Sequence, residues 1–418
     1  MFSFLTTFAV GLASGMPIAF ALGLCGLVYL LVQDAMPATL ASQLFSALST
    51  PSLLAIPFFI LAAEVMSRTG ATNRLIHFID VLIRHTRGGL PVVAVFATVM
   101  FSSISGSSVA TAAAVGTILI PEMVKRGYDR TFSVGLIASA GGLGILLPPS
   151  VPLVIYGIVT ETSIARLFTA GAIVGIILTA LLTVVAYGYS RASGVPPQPK
   201  ASSRERLAAF KSAFGVLMSP VIVLGGIYSG YFTPMEAAAI SSVYAIFLAL
   251  CYGVSVKGLL PILTSSAKMS SIIMMILAGA QLFGYAITSE RIPHVLFDGI
   301  MAMNLSSTEF LVGVMLLFFL IGMALEVISV ILITMPILMP MIMGFDIDPV
   351  FFGMLLILNM EIAVITPPIG LNLFAISAIS KVPVMRVFKG CLPFVLLLFL
   401  MLVFMTFVPQ VQDMFRLL

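Results

Sequence analysis

Charge is scarce in this sequence. Asp, Glu, Lys and Arg make up 9% of the 418 residues, whereas 60% are hydrophobic. A soluble globular domain carries roughly 25% charged residues, so the composition excludes one and makes the lipid bilayer the solvent. Tryptophan is absent, which leaves Tyr and Phe to supply any interfacial aromatic belt. Histidine occurs three times and never at membrane depth. Without a base there, a Ser-rich apolar segment does not make an intramembrane protease. Cys25, Cys251 and Cys391 lie in apolar stretches without ligand spacing and read as small core residues. No transition metal and no cofactor is expected. The basic residues are too dispersed for a nucleic-acid surface. The start lacks a basic n-region and a small-residue cleavage site, so Met1 to Val32 reads as a retained span rather than a signal peptide.

What the sequence has is apolar length. Runs long enough to span occur at about 4–32, 52–66, 166–188, 213–230, 235–254, 270–288 and 391–409. Four more segments, about 91–124, 131–159, 308–344 and 350–380, are apolar but interrupted. If 91–124 and 308–344 are hairpins that leave on the side they entered, the basic residues sort cleanly. Arg68, Arg74, Arg84, Arg87, Lys125, Arg126, Arg130, Arg191, Lys200, Arg204, Arg206, Lys211, Lys257, Lys268, Lys381, Arg386 and Lys389 fall on one side. Only Arg166, Arg291 and Arg416 fall on the other. The richer side is then cytoplasmic, with the N-terminus inside and the C-terminus outside. Reading either hairpin as a full crossing breaks this sorting.

Two segments share a signature. Gly144-Ile-Leu-Leu-Pro-Pro-Ser150 and Val364-Ile-Thr-Pro-Pro-Ile-Gly370 stand 219 positions apart. A Pro-Pro pair removes two donors and blocks a continuous helix, which lipid tolerates only beside protein or a watery cavity. At the same offset Pro121 meets Pro340, Asp129 meets Asp348, Phe132 meets Phe351 and Gly171 meets Gly390. Pro121 precedes basic residues and Pro340 precedes Asp346 and Asp348, so the two repeats are expected to be inverted. The expected fold is an all-α polytopic membrane protein of two inverted-topology repeats. Residues 1–50 supply an N-terminal span and connection. Repeat 1 occupies 51–190, with an amphipathic arm at 71–86, a re-entrant hairpin at 91–124 and a broken helix at 131–159. A cytoplasmic linker at 191–212 and a helix pair at 213–254 follow. Repeat 2 occupies 255–412, with an arm at 292–303, a hairpin at 308–344 and a broken helix at 350–380; 413–418 is a tail. In the first arm Leu75, Ile76, Ile79, Leu82 and Ile83 share one face and Asn73, His77, Asp80 and Arg84 the other, which suits the interface plane.

The polar chemistry sits in the interruptions. Phe101 to Thr111 holds six Ser or Thr residues around Gly106. Arms of about 11 and 16 residues at ~1.5 Å each bring this tip near the middle of a ~30 Å hydrocarbon core. Gly106 permits the turn, and Ser107 or Ser108 caps the returning helix. The competing reading is a kinked span with its hydroxyls bonded back to the helix. The first break ends one half-helix in free carbonyls and starts the next near Pro148 and Pro149. Carbonyls and hydroxyls suit Na+, and helix N-termini suit a carboxylate. Glu326 and Glu361 are carboxylates at membrane depth, which default to function, although a purely structural hydrogen-bonded role stays open for each. Glu64 reads as too near the inner interface to count.

These residues carry a resemblance. Ser105-Gly-Ser-Ser-Val-Ala-Thr111, Pro121, Gly127-Tyr128, the two Pro-Pro segments, Ile155-Tyr156-Gly157 and Leu371-Asn-Leu-Phe374 together resemble the large membrane subunit of tripartite ATP-independent periplasmic (TRAP) transporters, over essentially the whole chain. The resemblance implies an elevator-type, Na+-driven symporter of an organic acid in a bacterial inner membrane. It implies two partners, a small four-helix membrane subunit on a separate chain and a periplasmic substrate-binding protein. It places Na+ at Ser105, Gly106, Ser107, Gly144, Pro148, Gly322, Glu326, Thr366 and Gly370, and leaves Ser103, Ser108, Thr111, Asn359 and Asn372 for the substrate. Thr111, Glu326 and Asn372 depart from the sialic-acid branch and resemble the dicarboxylate branches. The alternative is a stand-alone Na+-coupled anion transporter or antiporter of the wider ion-transporter group. A channel and a membrane enzyme are the more distant classes.

Overall fold

The computed structural model describes residues 2–33, 37–86 and 88–417. Arg87, one of the sorted charges, lies outside the described residues, as do Met1, residues 34–36 and Leu418. Among the described residues the chain is all-helical, with 20 α-helices and two short 3-10 turns. Eight helices among those residues are long and apolar enough to cross a membrane, so this is a multi-pass membrane protein.

The first apolar run is not the single span expected. It forms α1 (Phe2–Ala13) and α2 (Ile18–Val32), separated by a turn at Gly15 and by Pro17. A helix cannot continue through that pair. α1 folds back along α2: the Phe4 and Tyr29 rings lie 5.4 Å apart, and the Cys25 thiol donates to the Phe4 carbonyl at 3.1 Å. α3 (Pro37–Leu48) and α4 (Ala55–Arg68) lead to the arm α5 (Ala71–Ile83), which buries Leu75, Ile76 and Ile79 and exposes Asn73 and His77. Leu82, expected on the apolar face, is exposed.

α6 (Gly89–Ser105) and α7 (Ser108–Lys125) form a helical hairpin whose two feet meet. Asp80, just before it, pairs with Arg126, just after it, at 3.5 Å. Gly88 abuts Ser190, whose hydroxyl donates to Tyr128 at 2.9 Å. A kinked span would separate those feet. The interrupted helix follows as α8 (Arg130–Gly142), a 3-10 turn at Leu143–Ile145, and α9 (Val151–Val159). The second half-helix does not start at the prolines. Ser150 takes the cap, its Oγ accepting from the Leu153 amide at 3.5 Å, and Pro152 occupies the first turn. The Pro148-Pro149 and Pro367-Pro368 bonds, in matching positions, are both cis.

α10 (Ile164–Ala192), α11 (Ser203–Tyr228), α12 (Pro234–Cys251), α13 (Val256–Ser289) and the arm α14 (Ile292–Ala302) lead to the second hairpin, α15 (Ser307–Gly322) and α16 (Val327–Gly344). Its feet also meet: Ser307 donates to the Phe345 carbonyl at 3.1 Å, and Phe310 stacks on Phe345. The second interrupted helix is α17 (Pro349–Val364) and α18 (Leu371–Ser380), followed by α19 (Val384–Phe407) and α20 (Pro409–Arg416).

α10 orients the two hairpins. Its 29 residues extend ~43 Å at 1.5 Å each. Ser190, at its end, holds the feet of the first hairpin. Arg166, at its start, pairs with Asp348 at 3.4 Å, next to the feet of the second. Asp129 and Asp348 cap α8 and α17 in the same way, each accepting the amide of Phe132 or Phe351, yet they stand at opposite ends of α10. The interrupted helices and α19 pack together. α8 and α19 approach so closely at Gly135 and Gly390 that a Cβ on either would overlap the other backbone. Tyr156 of α9 donates to the Pro349 carbonyl at 2.6 Å and ties the two interrupted helices together. α2 packs on α13, α4 on α12 and α5 on α11, outside this core.

Candidate functional site

The tip of the first hairpin is built by one glycine and one serine. Gly106 turns the chain with φ +62°, and its amide donates to the Ser102 carbonyl at 2.8 Å. Ser107, rather than Ser108, caps α7, its Oγ accepting from the Ala110 amide at 3.4 Å. At the second tip Glu326 occupies the cap position of α16 without a side-chain cap bond, so its carboxylate is free at the positive end of that helix.

Both tips line one cavity of about 160 Å³. Ser105, Gly106, Ser107, Ser108 and Glu326 of the expected site meet there. The cavity receives the starts of four helices: Ser108–Ala110 of α7, Val151 and Pro152 of α9, Val327 and Ile328 of α16, and Leu371 of α18. Among the described residues no Lys or Arg lines it. Four partly free sets of N–H groups make a positive concavity suited to an anion. Serine hydroxyls, terminal carbonyls of α6 and the Glu326 carboxylate are hard oxygen donors, which suit Na+ and not a soft transition metal. Among the described residues no three His, Cys, Asp or Glu side chains cluster as a transition-metal site.

Other expected residues lie elsewhere. Ser103 faces a narrow cleft with Pro149, Ser219 and Ser241, on the far side of the tip. Gly144 is pressed against Ser102, and Gly322 against Met360 and Ala363. Pro148 is buried in the bend of the first break. Gly370 donates to the Met323 carbonyl at 3.3 Å, which fastens the second break to the second tip. Asn372 is a buried strut: its Oδ1 accepts from Ser108 at 2.9 Å and its Nδ2 donates to the Ala138 carbonyl at 3.3 Å. Thr111 is buried, with no partner for its hydroxyl among the described residues. Asn359 and Thr366 line a separate apolar crevice between α15, α17 and α19, where Asn359 donates to the Met315 carbonyl and Thr366 to the Ile362 carbonyl.

Glu64, discounted from the sequence, lines the cavity. It is held by Arg68 at 2.6 Å and by the Ser265 hydroxyl at 2.8 Å. The i,i+4 spacing of Glu64 and Arg68 is the one sequence signal of this fixed carboxylate.

Gly106→Ala tests the tip. The added Cβ meets Val151 at an ordinary 3.4 Å, so the penalty is the left-handed backbone, about 1–2 kcal/mol. The expected outcome is a variant that assembles in normal amounts but shows reduced uptake in vesicles. Undiminished uptake would show that the tip tolerates another turn.

A family model described as "Tripartite ATP-independent periplasmic transporter, DctM component" matches residues 5–411. The chain is 41% identical over 395 residues to the C4-dicarboxylate TRAP transporter large permease protein DctM of Pseudomonas aeruginosa, covering 94% of this chain and 92% of that one. It is 36% identical over 402 residues to the sialic acid TRAP transporter large permease protein SiaM of Vibrio cholerae, covering 96% and 94%. Among solved structures, the Alcanivorax borkumensis YdaH transporter aligns with a TM-score of 0.66 at 15% identity, over 88% of this chain and 86% of that one. That likeness is one of fold.

Proposed function

The chain belongs to the DctM component family of tripartite ATP-independent periplasmic transporters, and from that membership we propose that it imports a small organic acid anion by Na+ symport. It is a transporter permease subunit and not an enzyme. The observation that carries the proposal is the convergence of four helix starts and two hairpin tips on one cavity that no basic side chain among the described residues lines. Such a cavity attracts a carboxylate through backbone N–H groups. Glu326 stands in the same wall and, unlike the Arg68-paired Glu64, has no basic partner, so an anion alone meets a like charge. Na+ bound at the tips offsets that repulsion, and the anion is held well only when the ion is present. This is the physical basis of coupling.

The substrate class follows from size and kinship. The cavity is smaller than the roughly 300–1,000 Å³ of drug-sized ligand pockets, and the relative at 41% identity is named for C4-dicarboxylates. A C4-dicarboxylate therefore suits it better than a sugar acid. The partners are a small four-helix membrane subunit and a periplasmic binding protein that delivers the acid.

The two halves are inverted repeats, and the motion is an elevator. The hairpins and interrupted helices form the moving body. α10 and α19, which pack on α8 and α17, travel with it, a larger body than the hairpins and interrupted helices alone. The pairs α2–α13, α4–α12 and α5–α11 form the frame. The membrane is the bacterial inner membrane, with the first hairpin's feet cytoplasmic and the C-terminal end periplasmic. A cytoplasmic N-terminal end required one first span. The fold-back of α1 carries Phe4 to the Tyr29 end of α2, and so to the periplasmic side.

The test is uptake of labelled succinate by vesicles holding this chain and its small subunit, with the binding protein added outside. An inward Na+ gradient is expected to raise accumulation at least about tenfold over a K+ gradient, ~1.4 kcal/mol of driving force. Equal accumulation under both would sink the coupling, and uptake without the binding protein would favour a stand-alone transporter.

A further inference from the structure

Glu361 of α17 has no exposure to solvent, and no other Asp, Glu, Lys or Arg among the described residues is buried so completely. Neither of its carboxyl oxygens has a hydrogen-bond partner among those residues. It lies against Gly142, the last residue of α8, so closely that a Cβ there would overlap both oxygens. Ser139, one turn earlier on α8, is also fully buried, and among the described residues its hydroxyl meets only the weakly polar thiol of Cys391 on α19, which also faces Glu361. Buried polar atoms without partners are rare. A bare carboxylate here would be an unpaired charge in a low-dielectric interior, so a cation must accompany it.

The packing selects which cation. A metal ion needs a shell of several oxygens. Of the groups seen against this carboxyl, Gly142 offers no side chain, Cys391 offers sulfur and Ser139 offers one hydroxyl, fewer side-chain oxygens than an ion shell takes. A proton needs a single oxygen. We infer that Glu361, with Ser139 beside it, is a proton-binding site that loads and unloads during the transport cycle.

Few other charges face it. α16, α18 and the turn Leu143–Ile145 contain no titratable residue. On α15 Glu309 is tied to Ser306 at the hairpin foot. On α10 Arg166 pairs with Asp348, 13 residues or ~20 Å along α17 from Glu361, and Tyr187, Tyr189 and Arg191 lie at its other end. On α20 Arg416 bonds Asp346, near Asp413. Arg130 of α8 bonds the Ser380 carbonyl, Arg386 of α19 bonds Thr131, and Lys389 is exposed. Tyr156 of α9 packs on α17 at Gly353 and bonds the Pro349 carbonyl, and Cys391 is a titratable neighbour that faces Glu361.

The site is placed to sense the first tip. Ser102, three residues before Ser105, donates to the Gly141 carbonyl at 3.3 Å and presses on Gly144. Gly142 lies between those two residues. A rearrangement of the tip on ion binding therefore reaches the Glu361 carboxyl through one turn of backbone.

The inference deepens the transport reading, and its test needs no organic substrate, so the two can fail separately. Infrared spectra of the purified complex with its small subunit are compared for the wild type and Glu361→Gln. A carboxylic-acid C=O band at neutral pH, lost in Glu361→Gln, is expected. It should shrink reversibly when NaCl replaces KCl or when the pH is raised. A missing band means an ionised carboxylate and overturns the inference. A band that neither Na+ nor pH moves marks a fixed structural acid and also overturns it. Should Glu361→Gln fail to assemble, ¹³C-glutamate labelling of the wild type locates the glutamate bands. Ser139→Ala must then shift the one that responds to Na+, and an unshifted band counts against the site.

Discussion

Glu326→Gln is expected to weaken the apparent Na+ affinity of uptake by about 100-fold while leaving the amount of assembled protein unchanged. The carboxylate is free at the tip of the second hairpin and lines the cavity where the helix starts converge. Removing one unit charge ~4 Å from a cation, at an effective dielectric near 20, removes up to about 4 kcal/mol. Partial solvation of the tip reduces that to about 3 kcal/mol, which is roughly two decades in affinity. The amide keeps the shape, so folding is not the variable. The measurement is initial uptake rate against external Na+, fitted for the half-saturating concentration. An unchanged half-saturation would remove Glu326 from the ion site and leave it a structural end to α16. The effect on the organic acid should have the opposite sign at saturating Na+, because one like charge leaves the cavity wall.

The second large effect is structural. Gly135→Leu is expected to abolish accumulation of folded protein, read as loss of the monodisperse peak in fluorescence size-exclusion chromatography. A Cβ at Gly135 overlaps the backbone of Gly390, and one at Gly390 overlaps the Thr131 carbonyl. Overpacking a core costs typically ~1–3 kcal/mol when side chains can move aside. Here both partners are backbone, so the cost exceeds that range and takes a large share of the ~5–15 kcal/mol available to a folded domain. Small residues at helix crossings are how membrane helices achieve close van der Waals contact. Gly225→Ala is the contrasting case. Nothing lies within 4 Å of the new methyl, and the gain in helix propensity, ~1 kcal/mol, makes that variant neutral or stabler. If both variants behave alike, the close approach of α8 and α19 is not what holds the core.

The interruptions were legible because Gly, Pro and Ser act locally. Gly106 and the Pro-Pro pairs mark turns wherever the chain carries them, and the structure places turns there; Asp129 and Asp348, read from the sequence only as matching positions, prove to be helix caps. The second half-helix starts close to Pro148 and Pro149 but just past them, because Ser150 supplies the acceptor that a cap needs and the prolines do not. What could not be read was direction around a helix. α17 is apolar on every side, so no periodicity tells which face Asn359, Glu361 and Thr366 present. Asn359 and Thr366 turn to the crevice with α15 and α19, and Glu361 turns to α8. Glu64 was discounted because nothing local in the sequence shows that it borders a cavity. α13 folds back to bring Ser265, Met269 and Ile273 beside it and close a cavity there. The fold-back of α1 escaped notice because Gly15 and Pro17, inside a mainly apolar run of spanning length, look like a tolerable kink.

The meeting of α8 with α19 also sets a clock. The Cys391 thiol donates to the Gly135 carbonyl across 256 positions of sequence. A ribosome adds about 5–20 residues per second, so α8 emerges roughly 13–51 s before the helix that completes its packing exists. Through that interval the face around Gly135 must rest against lipid or a provisional neighbour. Maturation is therefore paced by translation, and slowing elongation after α8 would prolong the stage at which the nascent chain is most open to quality-control proteolysis.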